Sequence, residues 1–206
     1  MKKILSLFAA VVLAATALAQ TPQEIISQME QELEKHENDG FSMVNEVKVP
    51  VIGTIKSKAY NLGDKMRMDS EVKGIKVIAW MDNENEWTYN SKNNEVVIKK
   101  ADPKKREGED DMEMFDGLTD GYDVTLSAEN AKEWEFLCKK SKTNKDKDAP
   151  KKLTIGVSKA TKLPTRLETK MFGLGLKMLD ITFGVTDQQV TFNAADFPGV
   201  TIKDQR

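Results

Sequence analysis

IKVIAWM, residues 75–81, and LKMLDITF, residues 176–183, have the length and composition of β-strands, yet neither is apolar on one side only. In the first, Ile75, Val77 and Ala79 oppose Ile78 and Trp80. In the second, Leu176 and Met178 lie on one face, while Leu179, Ile181 and Phe183 fall on or near the other. A strand with one wet side alternates apolar and polar residues. Both faces of this sheet are therefore expected to be covered, one by helices and the other by a closing sheet or a ligand.

Around these two strands the period of two recurs. Phe41, Met43, Val47 and Val49 alternate with Ser42, Glu46 and Lys48, and Pro50 breaks the run. Turn signals at Asn61-Leu62-Gly63-Asp64, Lys73-Gly74, Asp82–Asn85 and Lys92–Asn94 separate further short strands. Strands joined by such turns every eight to twelve residues describe an antiparallel meander. Tyr122–Leu126, Trp134–Lys140, Lys152–Val157 and Thr165–Met171 continue it, with a last long strand over Leu176–Val185. The ending VTFNAADFPGVTIKDQR, residues 190–206, reads as a strand-like run to Phe192, a turn at Phe197-Pro198-Gly199 and a short run to Ile202.

Two segments read as helical. Thr21-Pro22-Gln23-Glu24 is a capping box with proline at the first helical position, and Ile26, Met29, Leu33 and His36 follow as one stripe. Residues 101–121 open with a charged loop, KKREGEDD, after which Met112, Phe115 and Leu118 recur at three. Before all of this, Lys2 and Lys3 precede an apolar run ending in Ala17-Leu18-Ala19, the form of a cleaved secretory signal over residues 1–19. Residues 20–206 are expected to form one domain.

The chemistry is sparse. One His and one Cys exclude a His/Cys zinc site, and no nucleophile elbow, phosphate loop or dinucleotide fingerprint is present. The carboxylate pairs, Glu84/Glu86 and Glu107/Glu109/Asp110/Asp111, lie in charged turns that read as solvated surface. Cys138, in WEFLCKK with Trp134 and Phe136 on its face, reads as a small buried apolar residue. With 31 basic and 33 acidic residues spread along the chain, no basic patch points to nucleic acid. No catalytic residue, metal or cofactor is expected. The methionines Met43, Met66, Met68, Met81, Met171 and Met178 all fall in or beside strands, which suits a surface that adapts to varied apolar partners.

Three motifs occur in a telling order: GDKMRM, residues 63–68; DNENEWTYN, residues 82–90, with Trp87 and Tyr89; and the tail DFPGVTIKDQR. Together with the signal and the capped helix, the chain resembles a LolA-type outer-membrane lipoprotein carrier. GDKMRM keeps Arg67 but departs from the family pattern at Gly63, Met66 and Met68, and Leu62 stands where many members place the basic residue that latches a lid. No lid-locking residue is carried over.

The resemblance implies an α+β, mostly β fold: about eleven antiparallel strands in an unclosed half-barrel, covered on its concave side by helices. It implies a periplasmic, monomeric, non-enzymatic carrier. Such a carrier takes the acyl chains of lipoproteins from an inner-membrane ABC-type transporter and passes them to an outer-membrane acceptor. A lipid- or lipoprotein-sensing regulatory module on the same fold is the alternative. The residues expected to line the cavity are Met43, Val47, Ile55, Met66, Met68, Ile78, Trp80, Trp87, Tyr89, Leu179, Ile181 and Phe183, with Ile26, Met29, Leu33 and Phe115 on the covering helices.

Overall fold

The computed structural model describes residues 20–51, 53–102 and 115–206. The expected signal segment, the KKREGEDD loop and Met112 lie outside the described residues. After α1 (Pro22–Glu34) the chain runs through β1 (Phe41–Val49), β2 (Gly53–Leu62), β3 (Lys65–Val72), β4 (Ile75–Met81), β5 (Asn85–Asn90) and β6 (Glu95–Lys100). It continues through β7 (Tyr122–Glu129), β8 (Glu133–Lys140), β9 (Lys152–Ser158), β10 (Pro164–Met171) and β11 (Leu174–Phe183). A short α2 (Asp187–Val190), a 3-10 turn (Ala194–Asp196) and β12 (Thr201–Asp204) complete it.

All twelve strands form one sheet, in the order β12-β6-β5-β4-β3-β2-β1-β11-β10-β9-β8-β7. The sheet is unclosed, since β12 and β7 are its two edges. Eleven strands pair antiparallel as the meander requires, and the twelfth, β12, is parallel to β6. The run up to Phe192 is not a strand. Its residues form α2 and an extended link, so the tail can leave the sheet, travel across it and rejoin at the far edge.

The helix α1 forms where its box predicts. Thr21 Oγ1 accepts from the Glu24 backbone N–H at 3.2 Å and the Glu24 carboxylate accepts from the Thr21 N–H at 2.7 Å. Its stripe of Ile25, Ile26, Met29 and Leu33 is buried against one side of the sheet, in a cluster with Phe41, Met43 and Ala59 and with Phe136, Cys138, Ile155, Leu167 and Ile181. Phe115 joins this cluster, 2% exposed and 5.0 Å from Phe41 edge-to-face, but it sits in a turn rather than on a second covering helix. Among the described residues α1 alone provides helical cover on this side. It is called here the helix side.

Directly paired residues in neighbouring strands share a side. The helix side can therefore be followed along Met43, Ala59, Met68, Ala79, Thr88 and Val97. The opposite side follows Tyr60, Arg67, Trp80, Trp87 and Ile98.

The double-sided pattern of LKMLDITF has a local cause. The β1–β11 register shifts between Ser42 and Val44, so Met43 faces a bulge at Asp180 and Ile181, and Asp180 takes φ +52°. A bulge resets the alternation by one residue. Leu176 and Met178 before it, and Ile181 and Phe183 after it, all lie on the helix side. Leu179, which pairs with Val44, lies on the other, apart from the two residues it was grouped with. Apart from Leu179, this strand is apolar on one side once the bulge is counted.

Deleting Asp180 should turn Ile181 and Phe183 away from the core and abolish the cooperative thermal transition. Asp180→Gly fits the positive φ without a Cβ and should keep a melting temperature at or above that of the parent.

Candidate functional site

IKVIAWM is double-sided for a different reason. Ile78 and Trp80 are buried, at 2% and 3% exposure, beneath the chain's own tail. After β11 the tail crosses the face of the six strands from β1 to β6. Arg67 fastens its first part. The guanidinium is held by Asp69 at 2.7 and 2.8 Å, lies over Tyr60 and Trp80 at 5.5 Å from each ring, and donates to the Gln189 carbonyl at 3.5 Å. Lys65 pairs with Asp187 at 2.5 Å.

Further on, Phe192 and Phe197 seat on the aromatic residues of β4 and β5. Trp80 lies 5.3 Å from Phe192 and 5.6 Å from Phe197, Trp87 stacks on Phe192 at 5.9 Å, and Tyr89 meets Phe197 at 4.7 Å. Each such pair contributes about 0.5–1.5 kcal/mol beyond area burial. Gly199, at φ +77°, turns the chain into β12, and its carbonyl accepts from the Asn94 side chain at 3.0 Å. This is the tail side.

The twelve residues expected to line one cavity therefore divide. Met43, Val47, Ile55, Met66, Met68, Ile181 and Phe183 lie on the helix side. Ile78, Trp80, Trp87 and Tyr89 lie on the tail side, where Phe192 and Phe197 occupy the space against the three aromatic rings. Leu179 shares that side farther along the sheet. Of the helix residues, Ile26, Met29 and Leu33 are all buried under α1.

On the helix side the cover is incomplete. The buried cluster takes in Phe41, Met43 and Ala59 from β1 and β2 and includes no residue of β3–β6. Past Ala59 the apolar surface continues, with no cover from the described residues of α1, over Met66, Met68 and Val72 of β3, Ile75, Val77, Ala79 and Met81 of β4, and Val97 of β6. Met68 is 38% and Val72 42% exposed, and the rest are half-buried. Alternation groups Ile75, Val77, Ala79 and Met81 on one face, and the register between β3 and β4 puts that face on the side of Met68.

This floor has no nucleophile or acid/base pair among the apolar residues named. Its chemistry is that of hydrocarbon contact through flexible thioethers and small aliphatic groups. Charge is gathered elsewhere. On the tail side of β8–β10, Arg166 pairs with Glu133 at 3.0 Å, Glu135 at 2.6 Å and Glu168 at 2.9 Å. Partial burial opposes the guanidinium charge there, but the hydrogen bonds it donates to Glu135 and Glu133 outweigh it. Among the described residues no group of three or more His, Cys, Asp or Glu could hold a metal, and no helix is long and apolar enough to cross a membrane.

No protein-family model and no curated protein matches the chain. Solved structures are similar to it, three of them as follows. An uncharacterized conserved protein from Thermus thermophilus shares 14% identity at TM-score 0.43, over 89% of this chain and 98% of its own. MucB in complex with MucA(peri) shares 10% at TM-score 0.44, over 82% of this chain and 60% of its own. The LolA superfamily protein NE2245 from Nitrosomonas europaea shares 12% at TM-score 0.33, over 84% of this chain and 99% of its own.

Cys138, fully buried in the helix-side core, has its thiol pushed up from 9.0 to about 11 by burial. The unfolded thiol ionises first as pH rises, so this group should lower stability progressively from about pH 9 to about pH 11 and have no effect below that window. A Cys138→Ala variant should show a flatter stability profile across it. Native protein should react with a thiol reagent only on unfolding.

Proposed function

We propose that the protein is a periplasmic carrier whose helix-side apolar floor shields the acyl chains of lipoproteins between the inner and outer membranes. The observation that carries this is the hydrocarbon surface on β3 and β4 that the described residues leave uncovered, beside the α1 core, on strands whose opposite face is covered by the chain's own tail. An exposed acyl chain of about sixteen carbons costs on the order of 12 kcal/mol in water, at about 0.8 kcal/mol per methylene. A protein that carries it across an aqueous space needs an apolar surface and a loose grip, and no covalent step. Met66, Met68 and Met81 supply deformable contacts there. The order of GDKMRM, DNENEWTYN and the Phe-Pro-Gly tail resembles that of lipoprotein carriers. In this reading the donor is an inner-membrane ABC-type transporter, the recipient an outer-membrane acceptor, and the carrier acts as a monomer without enzymatic activity.

Met68→Glu combined with Val77→Glu puts two charges on the floor at positions that are already partly exposed. Binding of a fluorescent sixteen-carbon fatty acid should weaken by at least about tenfold, with little change in melting temperature. In cells depleted of the parent protein, the same variant should leave lipoproteins stranded at the inner membrane. Undiminished binding and normal sorting would defeat the proposal.

A further inference from the structure

Five turns project from one end of the sheet: those joining β1–β2, β3–β4, β5–β6, β8–β9 and β10–β11. Two have large apolar residues at their tips, Val51 at 107% and Phe172 at 88% exposure, and Val72 at 42% lies just before a third. The two tips are neighbours, because β1 and β11 pair with Lys48 opposite Gly175.

Their backbones are as unusual as their exposure. Val51 has φ +70° and Phe172 φ +51°, the left-handed region suited to glycine or asparagine. A β-branched or aromatic residue there gains no burial in return. Retaining such residues in a strained, wet turn points to something outside the chain that they contact.

The surrounding charge indicates what that is. The residues of these five turns, 50–52, 73–74, 91–94, 141–151 and 172–173, include six lysines and two aspartates. The four turns at the other end, 63–64, 82–84, 130–132 and 159–163, include three lysines and three acids, and none of the most exposed large apolar side chains. The adjoining strand ends add Lys48, Lys76, Lys139, Lys140, Lys152 and Lys170 against Glu71, Glu95 and Asp123, and the segment leading into β7 adds Asp116 and Asp120, so lysines still outnumber acids at the first end. Beside Phe172 a recess of about 690 Å³ has Lys147, Lys151, Lys152 and Lys170 along its wall. Of its two acids, Glu168 is already paired with Arg166 at 2.9 Å and Lys177 at 2.6 Å, and Asp148 is exposed on the loop. The overall charge is −2, so this end is positive against the trend of the molecule.

We infer that this end docks on an anionic lipid bilayer, with Val51 and Phe172 entering the interface and the lysines meeting headgroup phosphates. Apolar tips ringed by lysine match both layers of such a surface, since short apolar insertions and electrostatic attraction to anionic lipid add together. The inference deepens the carrier reading and rests on it for its purpose. Ile75 and Val72, at this end of the open floor, would then face the membrane from which an acyl chain enters or to which it leaves.

The test is co-sedimentation of the full chain with vesicles of phosphatidylethanolamine and phosphatidylglycerol, against phosphatidylcholine vesicles. The variant is Val51→Asn with Phe172→Asn, since asparagine accepts the left-handed turn. The parent should prefer the anionic vesicles and lose affinity as salt rises. The variant should bind them at least about tenfold more weakly, yet melt at the same or a higher temperature and bind the fatty-acid probe as before. Equal binding by variant and parent, or no preference for anionic lipid, overturns the docking surface. Vesicle binding that depends on the two tips in a protein that fails to bind the probe upholds the docking surface and removes the carrier reading instead.

Discussion

The seating of Phe192 and Phe197 on Trp80, Trp87 and Tyr89 is the interaction on which the rest of the structure depends. A single large sheet with apolar residues on both sides has to cover two faces, and one short helix cannot cover either completely. The tail settles one of them. It crosses six strands, is fastened by Arg67 at its start and by β12 pairing at its end, and places two aromatic rings where solvent would otherwise meet Ile78, Trp80 and Val96. With that face of β2–β5 closed from within the chain, the hydrocarbon that the described residues leave uncovered is gathered on the helix side of β3 and β4.

This division assigns different work to residues that look alike in composition. The aromatic rings and the arginine of β3–β5 hold the fold. The methionines, valines and alanine on the reverse of the same strands form the open floor. On β4 the two roles alternate residue by residue, Trp80 beneath the tail and Ala79 and Met81 on the floor.

Much of this was legible in the chain. The capping box at Thr21 located α1, the period of two located the strands, and Phe197-Pro198-Gly199 located the turn before β12. What was not legible was the side of each strand. Alternation says which residues share a face but not which face is which, and the bulge at Asp180 changes the answer in mid-strand without a Gly or Pro to mark it. The residues carrying the family resemblance, Arg67, Trp87, Tyr89 and Phe197, proved to belong to one cluster that holds the tail. Conspicuous residues therefore draw attention in a sequence, while Val77, Ala79 and Met81, which have no distinctive chemistry, do not. A hydrocarbon-binding surface needs only shape and apolar area, so it leaves little motif in a sequence.

The most direct test of the division between the two faces is photo-cross-linking with a diazirine-bearing palmitate, followed by peptide mass spectrometry of the labelled protein. Saturable adducts are expected on the helix-side residues of β3 and β4, among them Met66, Met68, Val77 and Met81, and none on Trp80, Trp87 or Tyr89. Adducts concentrated under the tail, or labelling that does not saturate anywhere, would contradict the account.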